Sequence, residues 1–216
     1  MSLSVMIVKI SGGMATSFAI FALTLILSLP LGLGIALIRI GSNRFLRNLT
    51  RAYISVMRGT PLILQLLVVY FSPYYVFGLK LSTSYRFWAV IIAFVLNYAG
   101  YFAEIYRGGI ESIPAGQHEA AEILGYTRSQ AFLRIILPQV LKTILPSVTN
   151  EIITLIKDTS IAFAIAVTEM FTIAKAIASE EKTMTSYAIA GLFYYIFNFI
   201  VALIMEQIEK KMNVYN

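Results

Sequence analysis

The stretch ISGGMATSFAIFALTLILSLPLGLGIALI, running from Ile10 to Ile38, contains no charged residue. A bilayer core of about 30 Å is crossed by roughly 20 apolar residues in a helix, so a run this long reads as a permanent span. It is either tilted or kinked at Pro30, whose ring removes a backbone donor. The residues before it lack the basic n-region and short h-region of a cleaved signal. Working outward, further apolar runs extend from Gly59 to Leu79, from Phe87 to Ala103 and from Thr183 to Met205. The run Phe87 to Ala103 is near the short limit unless it continues through Glu104. Another, Ile135 to Ile156, is interrupted by Pro138, Lys142, Pro146 and Glu151 and scores only moderately on hydropathy. The expectation is an all-α, polytopic membrane bundle of about five spans in a single domain over residues 1–216.

Composition agrees, because 58% hydrophobic and 13% charged residues leave too little polar surface to clothe a soluble globule. The chain has no cysteine and one histidine, His118, which excludes disulfides, thiolate nucleophiles and multi-histidine metal sites within it. No metal site is expected. The net charge of +6 does not point to nucleic acid, since the basic residues cluster at the ends of apolar runs rather than in one stripe.

Those basic residues set an orientation. Arg39, Arg44, Arg47, Arg51 and Arg58 form a dense loop after the first span, which the excess of Lys and Arg in cytoplasmic loops places inside. The N-terminus is then outside, and the segment Arg107 to Lys142 and the C-terminal Lys210 and Lys211 are cytoplasmic. The loops near Lys80 and from Lys157 to Lys182 face outward. Trp88 and Tyr70, Tyr74, Tyr75, Tyr85, Tyr194 and Tyr195 fall near span ends, as an aromatic belt requires. The apolar piece Ser160 to Phe171 is too short to span and fits a re-entrant or half-helix element, lining a cavity or buried as a plug.

The cytoplasmic loop between the third and fourth spans contains PAGQHEAAEILG, Pro114 to Gly125. Pro114 suits the approach to a short helix, Glu119 and Glu122 favour its N-terminal half by the helix dipole, and Gly125 supplies a stop. Such a helix can insert into a partner's groove, or it can be a surface loop with a helical turn. The continuation EAAEILGYTRSQAFLRIILPQ, Glu119 to Gln139, resembles the EAA loop of ABC-importer permeases. MRGTPLILQL (Met57–Leu66), NYAGYFAEIYRGGIESIPAGQ (Asn97–Gln117) and IKDTSIAF (Ile156–Phe163) look like the polar amino acid permease family, the branch that includes histidine, glutamine and arginine importers.

The resemblance implies a type I importer permease fold, with residues 114–138 as the EAA loop and with Glu119, Ala120, Ala121 and Gly125 in a coupling helix docked on an ATP-binding subunit. It also implies a second permease copy, identical or a close paralogue, a pair of ATP-binding subunits, an extracytoplasmic solute-binding protein, and residence in a prokaryotic cytoplasmic membrane. No Gly-x-x-x-x-Gly-Lys-Ser/Thr loop occurs in the chain, so ATP and magnesium are expected on the partner and no cofactor on this chain. Transport would proceed by alternating access, with ATP hydrolysis outside this polypeptide.

Polar residues at membrane depth are costly and usually face a bundle interior or wet cavity. Here they are Gln65, Asn97, Glu104, Glu151 and Asp158. Glu151 and Asp158 are seven apart and return to nearly the same helix face. Two carboxylates in one cavity suit a cationic solute, whose guanidinium or ammonium offsets their desolvation, so Glu151, Asp158, Asn97 and Gln65 are candidate contacts for arginine, lysine or histidine. Each has a plainer reading: Asp158 beside Lys157 as an ion pair, Gln65 and Asn97 as interhelical glue, Glu104 paired with Arg107, and His118 as a solvated or interface residue. The competing function is an ion-coupled secondary transporter in which Glu104, Glu151 and Asp158 relay protons without any ATPase. A membrane enzyme is a remoter reading, because no histidine or cysteine lies in any span.

Overall fold

The computed structural model describes residues 1–213, which form nine α-helices and no strand. Helix α1, Leu3–Ile40, runs unbroken through Pro30 for 38 residues, about 57 Å at 1.5 Å per residue. It therefore begins well before the uncharged run, taking in Lys9. Its buried face is rich in small residues, Gly13, Ser17, Thr24, Ser28, Gly32 and Ala36, set among Met6, Ile10, Ile20 and Phe21, while Phe18, Ile26 and Leu27 stand exposed. That is the packing logic of lipid, where small side chains let backbones approach and large apolar ones face the acyl chains at no cost. A Cβ at Gly32 would lie 2.8 Å from Phe102 Cβ and 3.0 Å from the Ala99 carbonyl, so α1 and α4 meet at backbone distance.

Helix α2, Arg44–Gly59, occupies the segment read from sequence as a basic loop. The spacing of Arg44, Arg47, Arg51 and Arg58 is helical, and puts the charges on one face. Asn43 caps the helix, its Oδ1 accepting from the Phe45 and Leu46 amides at 3.0 and 3.2 Å. Ile54 buries against Ala36 and Ala103. At Thr60–Pro61 the chain turns by 111° into α3, Leu62–Phe77. The second span expected over Gly59–Leu79 is therefore shorter and forms one limb of a broken pair. Gly78, in the left-handed region at φ 66°, closes α3.

Helix α4, Thr83–Glu111, continues through Glu104 and is the centre of the bundle; Val90, Phe94, Tyr98 and Phe102 are buried along it. Helix α5, Ala115–Ile123, is the short element expected between the third and fourth spans. A single turn, α6 (Arg128–Ala131), then passes through a π-helical stretch, Phe132–Ile136, into α7, Leu137–Asp158, and a 3-10 turn, Thr159–Ile165. This assembly from Arg128 to Ile165 is apolar enough to cross a membrane and is longer than the expected Ile135–Ile156.

Residues 160–171 divide between that 3-10 turn, a left-handed Ala166 at φ 57°, and the start of α8, Met170–Glu181. Helix α8 was not foreseen as a helix, since Glu180, Glu181 and Lys182 mark its end as a polar loop. It packs Met170, Ala174 and Ile177 against Met6, Ile10 and Ala190. Helix α9, Thr185–Asn213, completes the bundle. Helices α1, α4, the α6–α7 assembly and α9 qualify as spans alone, and the bent α2–α3 pair makes a fifth, in line with the expected number.

Candidate functional site

The 111° turn between α2 and α3 breaks the helical ladder beside the bundle, and its freed carbonyls need donors. Two carboxamides supply them. Gln65 Nε2 reaches the Met57 carbonyl at 3.0 Å, the Thr60 carbonyl at 3.1 Å and Thr60 Oγ1 at 2.8 Å. Asn97 Nδ2, from α4, donates to the Met57 carbonyl and to Gln65 Oε1, both at 3.0 Å. Gln65 and Asn97 are thus the mortar of the turn, as the plainer reading of them had it, and Asn97 also lines a cavity beside it.

That cavity, of about 390 Å³, is bounded by Thr60, Pro61 and Leu62 at the turn, Asn97, Tyr98 and Tyr101 on α4, and Glu151, Thr154 and Asp158 on α7, with Ile161 beyond. Its size lies in the range of small-molecule sites. The heptad spacing of Glu151 and Asp158 brings both carboxylates to it. Asp158 Oδ2 accepts from the buried Tyr98 hydroxyl at 2.7 Å, so its hydrogen-bond partner is Tyr98 rather than Lys157. Glu151 has no hydrogen-bond partner among the described residues. Three of the four candidate contacts therefore share one chamber, while Gln65 stands behind Asn97.

A second and more open chamber, of about 560 Å³, adjoins the first toward the α5 end, lined by Arg39, Arg51, Ser55, Arg58, Tyr101 and Glu104 among others. Tyr101 belongs to both walls. Glu104 is gripped by Arg107, which also holds Glu111, and Arg58 approaches it at 4.0 Å. Arg58 stacks over the Tyr101 ring at 5.5 Å. Sequence reading assigned Arg58 to topology and gave Tyr101 no role, so neither was singled out; the helical spacing of Asn97 and Tyr101 was the available signal.

At the α5 end, Gly125 adopts the left-handed conformation at φ 78°, with the Tyr126 amide bonded to the Ala121 carbonyl at 3.1 Å and the Gly125 amide to that of Glu122 at 2.9 Å. This is a Schellman closure. Thr127 and Gln130 then form a capping box that restarts the chain as α6. Glu119 and Ala120 are exposed, Ala121 is buried, and Ile123 and Leu124 project with 86% and 72% of their surface free. His118 and Glu122 line a groove with Tyr126, Arg128 and Phe132.

At the other end, Glu169 is fully buried and was not foreseen. Its oxygens accept from the Phe171 and Thr172 amides at 2.7 and 2.6 Å, capping α8, and from Thr172 Oγ1, Tyr194 and Ser17 at 2.8, 3.2 and 3.4 Å. One carboxylate thereby ties α1, α8 and α9. Among the described residues no group of His, Cys, Asp and Glu is placed to hold a metal ion.

This arrangement of broken span, carboxylate-lined chamber and protruding short helix has a match in sequence. Residues 28–214 fit the family described as the binding-protein-dependent transport system inner membrane component. The chain belongs to that family. It is 37% identical over 202 residues to the octopine transport system permease protein of Rhizobium radiobacter, covering 91% of this chain and 82% of that one. It is 36% identical over 201 residues to the arginine transport system permease protein of Bacillus subtilis strain 168, covering 93% and 90%. A solved structure described as an amino acid ABC transporter with histidines superposes with a TM-score of 0.85 at 30% identity, over 94% of each chain. The fold is that of a type I ABC-importer permease, and the chain is a multi-pass membrane permease subunit.

Proposed function

We propose that this chain forms the translocation path of an ATP-driven importer for amino acids with a cationic side chain, arginine, lysine or histidine. The observation that carries the substrate class is the chamber in which Glu151 and Asp158 face one space beside Tyr98 and Thr154. A guanidinium or ammonium entering it offsets the desolvation of both carboxylates, whereas a neutral side chain leaves buried charge unpaired. The named relatives are described by different cargo, octopine and arginine, so the support for this reading comes from the carboxylates rather than from the family.

The energy comes from a partner. Helix α5, with Glu119 and Ala120 on its exposed side and Ile123 and Leu124 at its tip, is shaped to seat in a groove of an ATP-binding subunit, with Gly125 fixing its exit angle. The assembly comprises two such subunits carrying ATP and magnesium, a second permease copy and an external solute-binding protein. The arginine-rich α5 end is cytoplasmic and the α8 end, with the N-terminus, is external. Closure of the ATP-binding pair moves α5, and the α6–α7 assembly behind it carries that motion to the face bearing Glu151 and Asp158.

The test is uptake of radiolabelled arginine, with glutamine in parallel, into proteoliposomes holding the chain with its ATPase, with and without enclosed ATP. ATP-dependent arginine uptake that Glu151→Gln selectively loses is the expected result. Uptake on a proton gradient without ATP or partner would replace this reading with the ion-coupled transporter, and unchanged selectivity in the variant would move recognition to the binding protein.

A further inference from the structure

The motif Arg58-Gly59-Thr60-Pro61 is left unexplained by coupling and by the carboxylate chamber alone. It is the 111° turn itself, and it divides the two chambers: Arg58 and Gly59 line the outer one, Thr60 and Pro61 the inner. Gln65 and Asn97 hold the turn rigid through the Met57 and Thr60 carbonyls, so the Arg58 backbone is fixed relative to the floor of the carboxylate site.

The outer chamber has a surplus of positive charge. Arg39, Arg51 and Arg58 line it with a single acid, Glu104, and that carboxylate is already engaged by Arg107. Arg58 donates no hydrogen bond among the described residues, its contact with Glu104 being 4.0 Å, so its fork of donors is available. The guanidinium is steadied in place by the face of Tyr101, whose ring also walls the inner chamber. Planar, bidentate recognition is what a guanidinium offers a carboxylate.

We propose that Arg58 is the residue that recognises the α-carboxylate of the transported amino acid as it passes between the chambers, Arg39 and Arg51 reinforcing the field. The inference rests on the amino-acid reading above and adds a second pole to it. The carboxylates of α7 read the side chain, which differs between cargoes; Arg58 reads the carboxylate, which every amino acid carries. A path with acid on one side of Tyr101 and base on the other suits a zwitterion and repels a simple cation at its second step.

The experiment compares binding of L-arginine with that of agmatine, its decarboxylated analogue, by the complete transporter in nanodiscs without ATP. Wild type is expected to favour arginine by about tenfold or more, the worth of a charge-assisted bidentate contact. Arg58→Gln is expected to bring the two ligands within about threefold of each other, whereas Glu151→Gln weakens both alike and leaves their ratio intact. If Arg58→Gln does not assemble, Arg58→Lys reads the same selectivity, because lysine keeps the charge and loses the fork. An unchanged arginine-to-agmatine ratio in the Arg58 variants overturns the proposal. So does a ratio that is unchanged while binding becomes insensitive to anionic phospholipid in the disc, which would assign the chamber to a lipid phosphate. Loss of the ratio in Arg58→Gln with no effect of Glu151→Gln on either ligand would sink the carboxylate chamber and leave Arg58 standing.

Discussion

Glu151 differs from Asp158 in a way that fixes how each should respond to mutation. Asp158 is already bonded to Tyr98, while Glu151 has no such partner and is the freer group to meet a cation. Glu151→Gln removes a charge-assisted interaction worth about 1.5–3 kcal/mol, so apparent arginine affinity in ATP-driven uptake should fall by about 10- to 150-fold. Tyr98→Phe should weaken it less, because Asp158 keeps its charge and loses one donor. The pair was legible from sequence because seven residues of helix return to one face. Arg58 and Tyr101 were not, since a basic residue near a span end had a sufficient explanation in membrane topology and a tyrosine within a span carries no charge to mark it. Glu169 was hidden for another reason: a glutamate that caps a helix is recognised only once the helix is known, and α8 was not.

At the level of elements, the α2–α3 turn and the α5 exit are the two places where backbone geometry is held by a few named groups. Gln65→Leu removes the Thr60 carbonyl's donor and leaves Met57 with Asn97 alone, a cost of about 0.5–1.5 kcal/mol. The thermal midpoint of the detergent-purified complex should then drop by about 1–6 °C. Gly125→Val places a β-branched residue in the left-handed region at a cost of about 1–2 kcal/mol, so the Schellman closure re-forms differently and α5 leaves at another angle. Substrate-stimulated ATPase activity of the reconstituted complex should fall severalfold while the amount of assembled complex stays near wild type; normal stimulation would remove α5 from the coupling route. Helix α2 shows how one inference can mask another. Its arginines were read for the side of the membrane they mark, and once so used their helical spacing went unexamined.

For the whole molecule, the number of spans and the protruding α5 could be read from hydropathy and punctuation, because lipid forces every spanning backbone to satisfy itself as helix. The bend and the division into two chambers could not, since they depend on which carbonyls are freed and which amides reach them. The expected sidedness rests on charge alone and is directly testable. The chain has no native cysteine, so single substitutions report without background. In intact cells, Lys182→Cys at the end of α8 should react with a membrane-impermeant maleimide, and Arg128→Cys beside α5 should react only after permeabilisation. The reverse pattern would invert the bundle and place the arginine chamber outside.

The small-residue face of α1 carries a consequence for anyone who would redesign this protein or judge its variants. Beyond Phe21 the large side chains of this helix mark the outside, so a helical wheel oriented by the usual inward-apolar habit would bury Ile26 and Leu27 where Gly32 must sit. Tolerance to mutation should run the same inverted way: in a saturation screen, the exposed bulky positions Phe18, Ile26 and Leu27 would accept nearly any apolar replacement, and the most modest ones, Gly13, Ser17, Ser28 and Gly32, would accept almost none.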